Sequence, residues 1–152
     1  MSFRNSHKNS EIRAVIDIGS NSVRLVIYKI QKRLPIILYN EREICELGKF
    51  NKRSGKLTSK AIKKSLALLQ RFKILMDQVG VIEVYAIATE AVRKAKNHSI
   101  FVKHAEEIID QKIIILSGLE EAQLTSLGVI RSNTNVNGLV ADLGGGSLEI
   151  IQ

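Results

Sequence analysis

The sequence predicts an α/β fold in which a sheet is layered against helices. Three Val- and Ile-rich segments near the N-terminus, separated by short spacers, predict consecutive antiparallel strands. Segments with helical apolar spacing then alternate with short apolar runs, a pattern typical of layered α/β domains. The chain has 152 residues, of which 45% are hydrophobic and 25% charged. That composition excludes a disordered or collagen-like chain and allows one ordinary domain, or a domain and a fragment of another.

The N-terminal strands form the first predicted unit. Residues 13–18 are rich in Val and Ile and predict a strand, and the small polar residues 19–22 predict a turn. Residues 23–30 alternate in polarity as a second strand. Pro35 is predicted to break the chain before a third strand over residues 36–45. Short spacers of this kind make the three strands an antiparallel meander.

A long amphipathic helix is predicted next, after a loop over residues 47–56. Thr58 or Ser59 can cap its first turn, and Gly80 ends it after Val79. Its apolar residues recur at three- and four-residue steps and form one face: Ile62, Leu66, Leu69, Phe72 and Met76.

The remaining elements alternate between strands and helices. In order, they are a strand over residues 81–88, helices over 89–96 and 99–110, a strand over 113–116, a helix over 119–130, a polar linker over 132–137, and strands over 139–142 and 148–151. The last two flank three glycines, residues 144–146, and form a hairpin that is marginal in water by itself. The hairpin repeats the scheme of the chain's first strands, which predicts the start of a second, truncated domain.

Positive charge is concentrated in residues 49–73. The whole chain has a formal charge of +8, and this window alone contains nine basic residues and no acidic ones. Such a field would attract a polyanion, although a solvated helix face is an equally good interpretation. Nucleic acid is the less favoured ligand, because Phe50 and Phe72 are the only aromatic residues in the window that could stack on bases.

The composition favours a cytoplasmic protein without a membrane partner. Cys45 is the only cysteine and cannot form an internal disulfide. Apolar runs such as residues 113–116 are far shorter than the ~20 residues of a membrane span. Residues 1–11 are polar and lack the apolar segment of a signal peptide.

Two glycine turns each follow an aspartate at the end of an apolar strand. Gly19 and residues 144–146 are predicted to let the backbone approach a phosphate, with positive φ, while consecutive N–H groups form an anion-binding concavity. Asp17 and Asp142 would repel phosphate directly, so we expect them to bind Mg²⁺ or to orient water. The alternative for Asp17 is a carboxylate that caps its own turn. A P-loop and a dinucleotide-binding fingerprint are excluded because the glycine spacing fits neither.

Four segments form the most specific pattern in the chain: DIGSNSVRL (residues 17–25), ATEAVRKAKN (88–97), SGLEEA (117–122) and DLGGGSLE (142–149). In this order they resemble the motifs of the exopolyphosphatase/guanosine pentaphosphatase (Ppx/GppA) family. The resemblance implies an actin-like, ribonuclease H-like α/β domain with a mixed five-stranded sheet flanked by helices. Residues 1–133 would form this domain, and residues 134–152 a linker and the first β-hairpin of the truncated second domain.

The resemblance also implies a reaction and the residues that perform it. The expected reaction is hydrolysis of the terminal phosphoanhydride of inorganic polyphosphate or guanosine pentaphosphate, with Mg²⁺ as cofactor and the missing second domain as a partner in cis or in trans. Glu121 is the implied catalytic residue, a base for the attacking water. Asp17, Asp142 and Glu149 are the implied metal ligands. The implied phosphate-binding residues are Gly19, Ser20, Asn21, Ser22, Arg24, Arg93, Gly144, Gly145, Gly146 and Ser147.

Several alternatives stay open at this level. Arg93 could pair with Glu90, which departs from the family pattern and adds negative charge near the phosphate site. Glu120 is expected to stabilise a helix N-terminus rather than to catalyse. We expect the chain to be poorly active alone. It could instead be a non-catalytic polyanion-binding remnant or a sugar or acetate kinase of the same superfamily, and it could form a homodimer.

Overall fold

The computed structural model describes residues 11–31, 34–50, 54–133 and 137–151. The elements are β1 (Glu11–Ile18), β2 (Ser22–Gln31), β3 (Leu34–Ile44), α1 (Ser59–Val79), β4 (Glu83–Ala88), α2 (Glu90–Lys94), α3 (His98–Ile109), β5 (Ile113–Ile115), α4 (Gly118–Ser132), β6 (Val140–Leu143) and β7 (Leu148–Ile151). The predicted alternation of strands and helices is confirmed, and no boundary differs by more than two residues.

Strands β1 to β5 form one mixed sheet in the order β3-β2-β1-β4-β5. The first three strands pair antiparallel, as the predicted meander requires, whereas β4 joins β1 and β5 joins β4 in parallel. Parallel neighbours need crossover connections, and α1 precedes β4 while α2 and α3 precede β5. The predicted mixed five-stranded sheet is therefore confirmed. Its order places the carboxyl ends of β1 and β4 side by side, where ligands bind in open α/β sheets.

The core lies between one face of the sheet and helices α1 and α3. Side chains on a strand alternate between the two faces, so every second residue of the central strands enters this core. These fully buried residues are Ala14, Ile16 and Ile18 of β1 and Val23, Leu25 and Ile27 of β2. Phe72 of α1 and Phe101 of α3 are the largest buried side chains. Burial of each contributes about 1.5–3 kcal/mol relative to exposure.

Helix α1 begins and ends at the predicted residues. The Thr58 side chain accepts a hydrogen bond from the N–H of Ala61 at 3.2 Å and caps the first turn. Gly80 ends the helix with φ 76° and donates its N–H to the carbonyls of the last turn. Although α1 is 21 residues long, neither it nor any other described helix is apolar enough over a sufficient length to cross a membrane.

Pro35 does not break the chain, so that prediction is wrong. It lies inside β3 and pairs with Ile30 of β2. Strand β3 is at the edge of the sheet, where a residue on the outer side needs no backbone N–H for the ladder. Proline is therefore tolerated near the start of this strand.

The C-terminal hairpin is separate from the main sheet. Strands β6 and β7 form a two-stranded antiparallel sheet that contacts α4. Helix α4 has no buried residue, and Leu143 and Leu148 at the hairpin turn are exposed. The predicted linker overlaps the end of α4 at Ser132, and residues 134–136 lie outside the described part of the chain. The division into two domains stays a prediction.

Much of the basic segment is paired with carboxylates. Four of its basic side chains form ion pairs: Lys49 with Glu46, Lys64 with Glu43, Arg71 with Glu41 and Glu43, and Lys73 with Asp77. Residues 51–53, which include two further basic residues, lie outside the described residues. Exposed ion pairs of this kind contribute little stability, but they reduce the net field of the surface. The structure therefore weakens the argument for α1 as a polyanion-binding surface.

Candidate active site

The two predicted glycine turns share an equivalent backbone hydrogen bond. In the β1–β2 turn, the N–H of Gly19 donates to the carbonyl oxygen of Ser22 at 3.0 Å. In the β6–β7 turn, the N–H of Gly144 donates to the carbonyl oxygen of Ser147, also at 3.0 Å. In both cases an aspartate lies two residues before the glycine at the end of a strand. The sequence similarity between the two turns is thus a similarity of hydrogen bonding.

The two turns approach each other closely. A Cβ atom at Gly145 would lie 3.1 Å from the Cβ of Asn21 and 3.3 Å from the Cβ of Ser20. A Cβ atom at Gly146 would overlap the carboxylate of Glu90. Glycine is therefore needed in the second turn to allow this contact.

The expected positive φ angles are absent from both turns, so that part of the prediction is wrong. Among the described residues, the glycines with positive φ are Gly55, Gly80 and Gly138. The glycines are needed in these turns because they leave space for a neighbouring backbone. The chain itself reverses direction there without any residue in the left-handed conformation.

The turns enclose one side of a cavity of about 310 Å³. Eleven of the fourteen predicted site residues line it: Asp17, Gly19, Ser20, Asn21, Ser22, Arg24, Glu121, Asp142, Gly144, Gly145 and Ser147. Gly146, Arg93 and Glu149 do not line it but contact or influence residues that do. Residues from opposite ends of the polypeptide therefore meet at one site.

Asp17 is a partly buried carboxylate that lines the cavity. Burial raises its pKa above the ordinary value of 3.8, and the neighbouring Asp142 raises it further. Arg24 and Arg42 act in the opposite direction, because positive charge stabilises the ionised form. Asp17 is thus close enough to Asp142 for the two carboxylates to repel each other.

Glu121 has an environment suited to proton transfer. Burial raises its pKa above the ordinary value of 4.5, the carboxylate of Glu149 adds to this effect, and Arg93 opposes it. Its Oε2 atom is buried and has no hydrogen-bond partner among the described residues. A carboxylate with a raised pKa and a free oxygen is the usual form of a general base.

Asp142 and Glu149 lie directly opposite each other in the β6–β7 hairpin. The Oδ2 atom of Asp142 accepts a hydrogen bond from the hydroxyl of Thr125 on α4 at 2.9 Å. The Oε2 atom of Glu149 is buried without a hydrogen-bond partner in the described part of the chain. Asp17 occupies the equivalent position in the first hairpin, but there its opposite residue is Arg24.

Arg93 forms an ion pair with Glu121 and does not line the cavity. Its Nη1 atom donates to the carbonyl oxygen of Leu116 and lies 3.6 Å from Oε2 of Glu121. The alternative pairing of Arg93 with Glu90 is wrong, since Glu90 pairs with Lys94 one helical turn away. That ion pair partly compensates the negative charge that Glu90 adds next to the turns.

A capping box places Glu121 at the start of α4. The Ser117 hydroxyl accepts from the N–H of Glu120 at 3.2 Å, and the Glu120 carboxylate accepts from the N–H of Ser117 at 2.7 Å. These bonds lower the pKa of Glu120. The expected structural role of Glu120 is confirmed, and the next side chain is directed towards the cavity.

Three lining residues were missed by sequence reasoning: Arg42, Thr89 and Leu143. Arg42 donates from Nε to the Ser22 hydroxyl at 2.6 Å, which connects β3 to the first turn. Its alternation on β3 was a possible signal, but the facing side depends on a register that shifts at a bulge near Ile27. A further contact, the hydrogen bond from Thr125 to Asp142, joins α4 to the hairpin, and no local sequence pattern predicts it.

The carboxylates fit a metal ion only as part of a ligand set. In the residues that the structure describes, no group of three or more His, Cys, Asp or Glu side chains is arranged to hold a metal by itself. Mg²⁺ commonly takes one or two carboxylates and completes its shell with water and substrate phosphates. The unpartnered Oε2 of Glu149 and the adjacent carboxylates of Asp17 and Asp142 suit that use. Their role as metal ligands stays a prediction.

Comparison with known proteins indicates the same family that the four sequence motifs resemble. Residues 26–152 match the sequence model of the Ppx/GppA phosphatase family. The chain is 35% identical to a bifunctional 3-dehydroquinate synthase/phosphatase of Fusobacterium nucleatum, over 94% of this chain and 23% of that protein. It is 31% identical to a guanosine-5'-triphosphate,3'-diphosphate pyrophosphatase of Pseudoalteromonas atlantica, over 93% of this chain and 28% of that protein.

A solved structure shares the fold. The crystal structure of an exopolyphosphatase from Cytophaga hutchinsonii superposes with a TM-score of 0.85 at 30% identity. The match covers 93% of this chain and 46% of that one. The chain therefore spans about a quarter of the length of the curated relatives and about half of the solved one. The superposition confirms the predicted actin-like α/β architecture.

Proposed function

The chain belongs to the Ppx/GppA phosphatase family, and from this premise we propose that its cavity serves the hydrolysis of a terminal phosphoanhydride bond. The substrate class is inorganic polyphosphate or guanosine pentaphosphate, since one relative is named for the first and another for the second. The observation that best supports this proposal is that both aspartate–glycine turns and Glu121 line one cavity.

The turns supply the phosphate-binding part of the proposed mechanism. Backbone N–H groups of residues 20–22 and 145–147, with the serine hydroxyls, would hold the oxygens of the terminal phosphoryl group. The two turns contact each other at Gly145, so their donors lie on the same side of the cavity. Little covalent chemistry is needed from the protein in phosphoryl transfer, so positioning and charge neutralisation dominate.

Glu121 supplies the base in this proposal. Its free Oε2 would accept a proton from water as the water oxygen bonds to the terminal phosphorus. The bridging P–O bond breaks, and its electron pair leaves with the shortened phosphate chain. Arg93 holds the Glu121 side chain in place and stabilises it in the ionised form. Mg²⁺, held in part by Asp17, Asp142 and Glu149, would neutralise charge on the substrate oxygens.

The test is a phosphate-release assay with two proteins. One is the 152-residue chain, and the other is this chain fused to the half of the Cytophaga hutchinsonii relative that it does not match. We expect orthophosphate from tripolyphosphate or from guanosine pentaphosphate with the fused protein and Mg²⁺, and little or none with the chain alone. A folded fusion that binds these substrates and releases no phosphate would favour the polyanion-binding alternative. Comparing the two substrates identifies the preferred one.

The proposal also includes a second domain, the oligomeric state and the location of the protein. A second domain, in cis or in trans, would complete the cavity on the side of α4 and the hairpin, where apolar side chains such as Leu124 and Leu127 are exposed. A cytoplasmic location and a homodimer are further expectations of the sequence. Gel filtration of the fused protein measures the second of these directly.

A further inference from the structure

One face of helix α4 packs against the C-terminal hairpin. The half-buried residues of the helix recur at three- and four-residue steps and so form a single face: Gly118, Glu121, Ala122, Thr125, Ser126 and Val129. Helix α4 contacts both β6 and β7. Glu121 and Thr125 are one helical turn apart on this face, so the predicted base and a hydroxyl group lie side by side against the hairpin.

The hairpin contributes two carboxylates to this contact. Asp142 and Glu149 lie directly opposite each other on β6 and β7, and like charges in that position repel. Glu149 is close enough to Glu121 to raise the pKa of that residue, and Asp142 is close enough to Asp17 to raise the pKa there. Four carboxylates therefore interact at one site, and the orientation of each one depends on the groups that hold it.

Thr125 holds one of these carboxylates. Its hydroxyl donates to Oδ2 of Asp142 at 2.9 Å in a partly buried position, within the normal range for such a bond. A charged acceptor makes a hydrogen bond of this kind stronger than one between neutral groups. Because Asp142 lines the cavity, this bond fixes how its carboxylate is presented there.

The orientation of a carboxylate matters most when it binds a metal ion. Mg²⁺ requires nearly ideal octahedral coordination, so a ligand that is rotated away binds it poorly. Residues that hydrogen-bond to a metal ligand fix its orientation, and their loss typically costs about 10–100-fold in metal affinity. Thr125 stands in this relationship to Asp142, and no other residue of α4 donates to that carboxylate among the described hydrogen bonds.

We propose that Thr125 is a positioning residue for a divalent cation: its hydroxyl holds the Asp142 carboxylate in the orientation that binds the metal, and it connects this ligand to the helix that carries Glu121. The inference rests on the proposed function, in which Asp142 is a magnesium ligand. The role requires the hydroxyl of Thr125 and not its methyl group. A role in packing alone would require the shape of the side chain instead.

The test measures the binding of Mn²⁺ to the 152-residue chain, with electron paramagnetic resonance to quantify the free ion, because Mn²⁺ takes the same oxygen ligands as Mg²⁺. Thr125→Val keeps the shape of the side chain without the donor and is expected to lower Mn²⁺ affinity about tenfold. Thr125→Ser keeps the donor without the methyl group, and its affinity should stay within about threefold of the unchanged chain.

The opposite order would overturn the proposal. If Thr125→Val binds Mn²⁺ as the unchanged chain does, or if Thr125→Ser loses as much affinity as Thr125→Val, the hydroxyl does not position the ligand. An unchanged chain that binds no Mn²⁺ would also overturn it. Circular dichroism verifies that each variant is folded.

Ser126→Ala is the matched control. It removes the neighbouring hydroxyl from the same face of α4, whereas the bond to Asp142 comes from Thr125. Mn²⁺ affinity should stay within about twofold in this variant, and a loss equal to that of Thr125→Val would overturn the proposal.

The phosphate-release assay separates this inference from the proposed function. If Thr125→Val lowers Mn²⁺ affinity as expected while the fused protein releases no phosphate, the proposed function fails and the positioning role stands. If the fused protein releases phosphate while Thr125→Val leaves Mn²⁺ affinity unchanged, the proposed function stands and the positioning role fails.

Discussion

The Nη1 atom of Arg93 lies 3.6 Å from Oε2 of Glu121, too far for a hydrogen bond, while it donates to the carbonyl oxygen of Leu116. Arg93 therefore attracts the carboxylate without occupying its oxygen. Burial alone would favour the neutral acid, and the guanidinium opposes this effect. The outcome is a buried carboxylate that keeps a free acceptor, as a base for water requires.

Glu121→Gln is expected to lower phosphate release by the fused protein by at least about 10²-fold, because glutamine has the same shape and cannot accept the proton. The fold should be unchanged, and tripolyphosphate binding should be retained. A steady-state phosphate assay measures the loss. Glu120→Gln is the matched control, since Glu120 serves the capping box and glutamine fits that role. Full activity of Glu121→Gln would remove the catalytic assignment.

Asp17→Asn is expected to stabilise the chain at neutral pH. Burial raises the pKa of Asp17, so the folded state favours the protonated form. The stability from this protonation is fully present below the ordinary pKa of 3.8 and is lost as pH rises through the raised value. The variant does not undergo this loss, so its Tm advantage should be absent near pH 3 and should appear by pH 7.

Thermal unfolding followed by circular dichroism at several pH values measures this dependence. Asp110→Asn is the control, because Asp110 is exposed and has φ 54°, a conformation that asparagine readily adopts. This change affects an exposed side chain and should alter Tm little. A Tm difference for Asp17→Asn that shrinks as pH rises would contradict the assigned burial.

Gly145→Ala is expected to weaken tripolyphosphate binding severalfold. The added methyl group would lie 3.1 to 3.3 Å from Asn21 and Ser20, so the two turns must separate by a few tenths of an ångström. Gly128→Ala is the control, since no atom beyond its chain neighbours and the backbone of its own helix turn lies within 4 Å of the added methyl group. In α4 that change should stabilise the chain by about 0.5–1 kcal/mol and leave binding intact. Calorimetry on both variants distinguishes a local clash from a general effect of alanine.

Phe72→Ala is expected to reduce the free energy of unfolding by about 3–5 kcal/mol, because Phe72 is fully buried between α1 and the sheet and its removal leaves a cavity. Ile74→Ala, two residues along the same helix, removes a side chain that is 51% exposed and should cost about 1 kcal/mol or less. Urea unfolding of both variants measures the difference. Similar losses would show that α1 does not face the core as described.

Local patterns were sufficient to predict most of the fold. The spacing of apolar residues from Ile62 to Met76, with Thr58 and Gly80 as caps, predicted α1 to the residue, because helix ends depend on nearby side chains. Pro35 was misjudged because the energetic cost of a proline in a strand depends on whether that strand is at the edge of the sheet. The place of β3 in the sheet is a property of the tertiary structure. The mixed five-stranded sheet was predicted only from the resemblance of four motifs, and the order of its strands was not predicted.

The site was predictable to a smaller extent. Asp17, Asp142 and Glu121 belong to sequence motifs and do line the cavity. Arg42 has no motif, and its place beside Arg24 depends on the register of an edge strand that contains a bulge. Long-range contacts of this kind are set by packing, which a single sequence does not display.

The two sides of the cavity differ in how firmly they are held. The side with Asp17 belongs to a five-stranded sheet with a packed core, whereas the side with Asp142 is carried by a two-stranded sheet and by α4, which buries no residue. Amide hydrogen exchange should therefore be slow in β1 and fast in β6 and β7. Bound phosphate would then add protection from exchange chiefly to the hairpin. Ligand binding in this protein therefore orders a weakly held hairpin against a stable five-stranded sheet.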